Sequence, residues 1–214
     1  MEALALARPV WSTARVLVLV RHGRTAVNAQ GRLQGRLDHP LDAVGQAQAV
    51  ELAKTLIHVD RVVSSPLCRA QQTASVLSST FELDERWTEL DYGELDGLPT
   101  ASVGVEVWDR WRVDSSFVPA GGESMTAMAA RVAEACEDLR EDASRREVVV
   151  VSHVSPIKAA MAWALGMGPE LVWRCHLDQA SITRIAFTPR GVLLRSFNET
   201  GHLCNELSPP TISG

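Results

Sequence analysis

Apolar residues run unbroken from Val16 to Val20 and stop at Arg21-His22-Gly23. A short aliphatic and β-branched stretch with no polar break reads as a strand buried on both faces of a parallel sheet. Leu41 to His58 instead spaces its apolar residues helically (Val44, Ala47, Val50, Leu52, Leu56), with Asp42 placed to cap the first turn. Arg61 to Ser64 predicts a short strand, and Pro66 opens a helix through Leu77, since proline is favoured in a first helical turn. A long helix follows over Glu123 to Ala143. The next strand, Glu147 to Ser152, contains four consecutive valines, and a helix from Pro156 to Leu165 comes after it. Ser181 to Phe187 and Val192 to Asn198, separated by Pro189-Arg190-Gly191, read as a closing hairpin. This order predicts an α/β protein, a three-layer α/β/α arrangement around a mostly parallel central sheet. A single domain over residues 13–207 is expected, with loose ends at 1–12 and 208–214. Residues 92–122 break the alternation and read as a short lid insertion, carrying Trp108 and Trp111 on a short helix.

Bulk properties narrow this picture only in part. A chain of 214 residues is long enough to bury a substantial core, and a net charge of -5 disfavours general affinity for nucleic acid or an anionic membrane. It leaves room for a small anionic ligand held by a local group of arginines. No apolar stretch approaches the ~18–20 residues that span a bilayer. Arg8, Pro9 and Arg15 interrupt the apolar pieces near the N-terminus, so a secretory leader is not expected and a cytoplasmic location is. Cys68, Cys136, Cys175 and Cys204 are scattered without metal-ligand spacing and read as free thiols, with neither a metal nor another cofactor expected.

The candidate chemistry sits where strands end. The first strand ends in Arg21-His22, and the second runs into Ser64-Ser65-Pro66-Leu67-Cys68-Arg69, which puts Arg69 in the first turn of a helix. The four-valine strand ends in Ser152-His153, and the Trp87-Thr88-Glu89-Leu90 segment adds a carboxylate. Parallel sheets place ligand sites beyond the carboxyl ends of their strands, so these ends meet at one rim. Two arginines, two histidines and a glutamate gathered there suit a dianionic phosphoryl group, a nucleophile and a proton donor. Each residue taken alone has an ordinary use: Arg69 in a surface ion pair, His153 as a core histidine, Glu89 as a loop carboxylate. His39, His58, His176 and His202 lack such context and read as structural.

Taken together, several motifs resemble the histidine phosphatase superfamily, the group that includes cofactor-dependent phosphoglycerate mutases. They are Arg21-His22-Gly23-Arg24-Thr25 with Asn28, Gly31-Arg32-Leu33-Gln34-Gly35, and Ser64-Ser65-Pro66-Leu67-Cys68-Arg69-Ala70. Glu89 with Tyr92-Gly93, Gly121-Gly122-Glu123-Ser124, and Val151-Ser152-His153 complete the set in the family's order. The resemblance implies that His22 accepts the phosphoryl group as phosphohistidine. Arg21, Arg69 and His153 then hold its oxygens, and Glu89 protonates the leaving oxygen. Asn28, Gln34 and Val154 are implied as pocket residues. A backbone carbonyl is expected to fix the His22 tautomer, and the implied partner is a small phosphorylated substrate, with a homodimer left open.

The region before Gly121-Gly122 is short, and Tyr92-Gly93 continues into Glu94-Leu95-Asp96, without the Asn-Lys pair usual in mutases. The reading that follows is a metal-independent phosphomonoesterase. The alternatives are mutase-type transfer and a phosphate-binding relative without catalysis. Ser152-His153-Val154-Ser155-Pro156-Ile157-Lys158 and the His176 to Ser181 segment resemble the α-ribazole phosphatase-like domain joined to ribonuclease H in some actinobacterial proteins. Only the phosphatase part matches, so nuclease activity is not carried over. Trp108 and Trp111 have two uses open to them, roofing an apolar leaving group or packing the insertion down, and the first is favoured here.

Overall fold

The computed structural model of the chain describes residues 16–203 and 207. The two termini expected to be loose, 1–12 and 208–214, and the thiol of Cys204 lie outside the described residues.

Six strands form one sheet in the order β3-β2-β4-β1-β5-β6. They are β1 (Val16–Arg21), β2 (Arg61–Ser64), β3 (Glu82–Leu83), β4 (Val148–Ser152), β5 (Ile182–Thr188) and β6 (Gly191–Glu199). β1, β2 and β3 run parallel to their neighbours on the β4 side, whereas β5 is antiparallel to both β1 and β6. Of these, the two-residue β3 has no periodicity to betray it in the sequence.

Alternating strand residues feed two separate cores. Leu17, Leu19, Val63, Val148, Val150 and Ile185 face the layer of α4 (Val105–Val113), α5 (Met125–Arg145) and α6 (Val154–Leu165). Val18, Val20, Val62, Val149 and Val151 face α2 (Ala43–Thr55) and α3 (Cys68–Ser75). Burial on both faces is why β1 and β4 read as unbroken apolar runs. A four-residue helix, α1 (Ala26–Ala29), follows β1 directly.

Helix bounds depart from the sequence reading in instructive ways. α2 starts where expected, because the Asp42 carboxylate accepts from the Gly45 amide at 2.8 Å. Its buried face, however, is Gly45, Gln48, Ala49 and Leu52, while Val50 is exposed. Gln48 is buried because its amide is spent: Oε1 accepts from the Arg24 amide at 2.9 Å and Nε2 donates to the Leu207 carbonyl at 2.8 Å. α3 begins at Cys68 rather than Pro66, because Leu67 is still extended. α6 begins at Val154, two residues before Pro156, which therefore lies within the first turn, where a missing N–H costs nothing.

The insertion closes onto the body instead of standing clear of it. Trp111 is buried in the α5 core, and Trp108 stacks on it with ring centroids 5.9 Å apart. Trp173 packs edge-on against Trp108 at 6.0 Å. The two lid tryptophans thus anchor α4 to the 169–173 turn, correcting the expectation that they roof a leaving group. Further along, the Asp96 carboxylate accepts from the amides of Gly35 and Leu37 at 2.7 and 2.9 Å, tying the insertion to the loop after α1.

Candidate active site

Strand register decides which side chains meet. Arg21 pairs with Ser152 across β1 and β4, and Ser64 with Val151 across β2 and β4. The ladders run one residue past the strands, with the His22 amide donating to the Ser152 carbonyl at 3.0 Å and the Ser65 amide to Val151 at 2.9 Å. The three carboxyl ends are therefore level, and His22, Ser65 and His153 emerge together. Gly23 allows close approach to α2, since a Cβ there would collide with the Gly45 backbone.

His22 is buried, and its Nδ1 lies 2.7 Å from the Gly23 carbonyl. A carbonyl only accepts, so Nδ1 carries the proton and Nε2 presents a lone pair. That lone pair faces Nε of Arg69 at 3.3 Å, and the same N–H reaches Nδ1 of His153 at 3.2 Å. An arginine only donates, so His153 is unprotonated at Nδ1, and its Nε2–H donates to Ser65 Oγ at 2.7 Å. Burial, then the neighbouring Arg69 and Arg21, push His22 well below the usual imidazole range. Burial and Arg69 do the same to His153. Both rings are held neutral, 5.0 Å apart.

Arg69 is fully buried as the second residue of α3. Its Nη1 donates to the Leu37 carbonyl at 2.9 Å and its Nη2 to Gly35 at 2.8 Å and Gln34 at 3.4 Å. Arg21 ends β1 with Nη1 on the Leu177 carbonyl at 2.6 Å, while its buried Nε has no partner. Desolvation pulls Arg21 down to about 10, which still leaves it a cation at neutral pH.

Glu89 is held by its own surroundings. Trp87 is fully buried, and its carbonyl accepts from Ser152 Oγ at 2.6 Å, pinning the segment to the end of β4. Glu89 Oε1 accepts from the Leu90 amide at 2.7 Å and from the Ser155 amide, in the first turn of α6, at 3.2 Å. The helix N-terminus thus orients the carboxyl group. Tyr92 meets the Ser155 side chain, and burial and Glu89 push its phenol up, so it stays protonated.

The remaining sequence candidates flank this centre. Gln34 is buried, with Oε1 accepting from Thr25 Oγ1 at 2.6 Å and Nε2 without a partner. Asn28 closes a capping box with Thr25, so its Oδ1 is used locally. Val154 is half-buried at the start of α6. Among the described residues, no cluster of His, Cys, Asp and Glu is arranged to hold a metal ion.

Several contributors had no signal in the sequence. Ser65 and the Leu177 carbonyl act through tertiary contacts alone. So does a clasp behind Arg21: Asn198 accepts at Oδ1 from the Asp178 amide at 2.7 Å and donates from Nδ2 to its carboxylate at 2.8 Å. The Ala180 amide then donates to the His22 carbonyl at 3.1 Å. Ala180 and Asn198 are the two described non-glycine residues with positive φ, at 55° and 52°. Left-handed backbone costs roughly 1–2 kcal/mol per such residue and persists where its surroundings over-determine it. Asn198→Gly relieves the strain yet loses both side-chain bonds. The expected result is an unchanged fold by circular dichroism and turnover lowered about tenfold through misplacement of Arg21. Full turnover in that variant would separate the clasp from the site.

Residues 17–200 match the model of the family described as histidine phosphatase superfamily, branch 1. A bifunctional protein of Mycobacterium tuberculosis is 36% identical over 210 residues, covering 91% of this chain and 58% of the relative, so the chain spans little more than half of that protein. The structure of a phosphoserine phosphatase mutant from Entamoeba histolytica, in complex with phosphoserine, superposes with a TM-score of 0.82 at 29% identity, covering 88% of this chain and 99% of that one. A mycobacterial glucosyl-3-phosphoglycerate phosphatase superposes at 0.79 and 30% identity, covering 87% and 100%. Among the described residues, no helix is long and apolar enough to cross a membrane.

Proposed function

This chain belongs to the histidine phosphatase superfamily, and we propose from that premise that it hydrolyses small phosphomonoesters through a phosphohistidine on His22. The observation that carries the reading is the His22 ring itself. Nδ1–H is committed to the Gly23 carbonyl, leaving the Nε2 lone pair as its reactive atom beside Arg69. In the first step that lone pair attacks phosphorus, the bond from phosphorus to the ester oxygen breaks, and Glu89 gives its proton to the departing oxygen. In the second, the Glu89 carboxylate takes a proton from water, the water oxygen attacks phosphorus, and the P–N bond breaks to return neutral His22 and inorganic phosphate.

Charge gathers on the equatorial oxygens during both transfers, so fixed donors contribute most. Arg21 Nε and Gln34 Nε2 are buried donors with no other partner. The Arg69 Nε–H shared between two imidazoles is available once a phosphoryl oxygen replaces them. His153 turns a donor toward the phosphoryl group when its proton sits on Nδ1, with Nε2 then accepting from the Ser65 hydroxyl and the ring still neutral. The phosphatase neighbours favour hydrolysis over transfer back to substrate, and the substrates named for both of them carry a carboxylate close to the phosphate.

The test is phosphate release from a panel of phosphomonoesters, alongside an isomerisation assay with 3-phosphoglycerate. Release without isomerisation supports the reading; isomerisation without release contradicts it. Glu89→Gln separates the proton donor from the rest of the site. Esters with poor leaving groups are expected to slow by about 10²–10⁴-fold, and p-nitrophenyl phosphate, whose leaving group needs little protonation, by much less. Equal losses on both would remove Glu89 from this role.

A further inference from the structure

Arg36 lies between Gly35 and Leu37, the two residues whose carbonyls grip the Arg69 guanidinium at 2.8 and 2.9 Å. It is therefore fixed beside the phosphoryl-binding arginine. Its side chain is 37% exposed, and its Nε, buried, has no hydrogen-bond partner among the described residues. The acids nearest to it are far for ion pairs: Asp91 at 3.9 Å and Glu123 at 3.7 Å. Glu123 and one oxygen of Asp91, Oδ1, are already engaged. Glu123 takes a two-pronged pair from Arg131 at 2.8 Å on each prong, and Asp91 Oδ1 accepts from the Gly93 amide at 2.9 Å. Arg24, Arg61, Arg86 and Arg131, by contrast, close on their carboxylates within 2.6–2.8 Å. Arg36 is thus steered by loose charge contacts, with its Nε–H unspent.

We propose that Arg36 is a specificity-determining residue that takes a carboxylate on the leaving group, making carboxylate-bearing phosphomonoesters the preferred substrate class. This rests on the phosphatase reading above. A guanidinium presents two parallel N–H bonds to a carboxylate in one plane, a geometry an ammonium cannot match. A monoanion fits better than a second phosphate, because Asp91 and Glu123 offset much of the positive charge of Arg36 and Arg131. The carbonyls on either side of Arg36 both accept from Arg69, so a phosphoryl group on Arg69 and a carboxylate on Arg36 belong to one compact ligand.

The test compares 3-phosphoglycerate with glycerol 3-phosphate, and O-phosphoserine with O-phosphoethanolamine; each pair differs by the carboxylate. In the native chain kcat/KM is expected to favour the acid of each pair by about 10- to 100-fold, the scale of one charge-assisted two-pronged contact. In Arg36→Gln that ratio collapses toward unity, mainly through the KM of the acid, and Arg36→Lys restores only part of it. A native chain without the preference, or a preference that survives Arg36→Gln, overturns the assignment. Turnover of p-nitrophenyl phosphate by the native chain reports separately on the phosphatase reading, and its absence overturns both.

Discussion

Replacing His22 by alanine is expected to lower turnover by at least about 10⁴-fold while leaving the protein folded. The His22 tautomer is fixed by the Gly23 carbonyl beside it, which leaves Nε2 unprotonated next to Arg69. His153 is the other imidazole on the Arg69 Nε–H, but its ring is tied to Ser65 on the far side. The fold should tolerate the change because His22 contributes little net stability. Its ring is buried between Arg21 and Arg69, which penalise its charged form, and the bond it makes is to the next residue. Arg69 keeps its three carbonyl acceptors in the variant. The check is thermal unfolding with and without inorganic phosphate. Near-native melting and retained stabilisation by phosphate are expected beside lost turnover; turnover within tenfold of native would exclude His22 as nucleophile.

The second large effect belongs to Arg69. Arg69→Met keeps the length of the side chain and removes every donor. The carbonyls of Gln34, Gly35 and Leu37 then lose their partner, and an unsatisfied buried acceptor costs roughly 1–3 kcal/mol. The loop from Gly35 to Leu37 is held on its other side by Asp96 of the insertion, so loosening should spread to the lid. Turnover is expected to fall by about 10³-fold or more, with a lower melting temperature. Arg69→Lys is not expected to rescue it, because one ammonium cannot reach the carbonyls and two imidazoles at once. A lysine variant with near-native activity would mean that charge alone, and not the fork, serves the site.

How far the sequence reveals this arrangement depends on the range of the contacts. β1 and β4 are legible because burial on both faces forces an unbroken apolar run, and a charged residue at its end marks the rim. Parallel pairing then implies that Arg21, His22 and His153 converge, which the register bears out. Gln48 shows the opposite case: a polar residue enters the core because two backbone groups, far away in sequence, use its amide. Of the apolar stripe read on α2, Leu52 and Leu56 are buried as expected, whereas Val50 is exposed. Trp108 and Trp111 look like aromatic roofing until Trp173, more than sixty residues later, packs edge-on against them. Arg36 carries no motif, and its significance lies in what its neighbours' carbonyls do. The Asn198 clasp is legible only once β6 is seen to bring it to Asp178.

The most direct measurement is capture of the covalent intermediate. The protein is mixed with a ³²P-labelled phosphomonoester, quenched within milliseconds in denaturant at alkaline pH, and digested for peptide mapping. An acid-labile, base-stable label is expected on the peptide containing His22, formed in the native chain and absent from His22→Ala. Steady hydrolysis with no protein-bound label at any quench time, or a label that maps to His153, would contradict a phosphohistidine on His22.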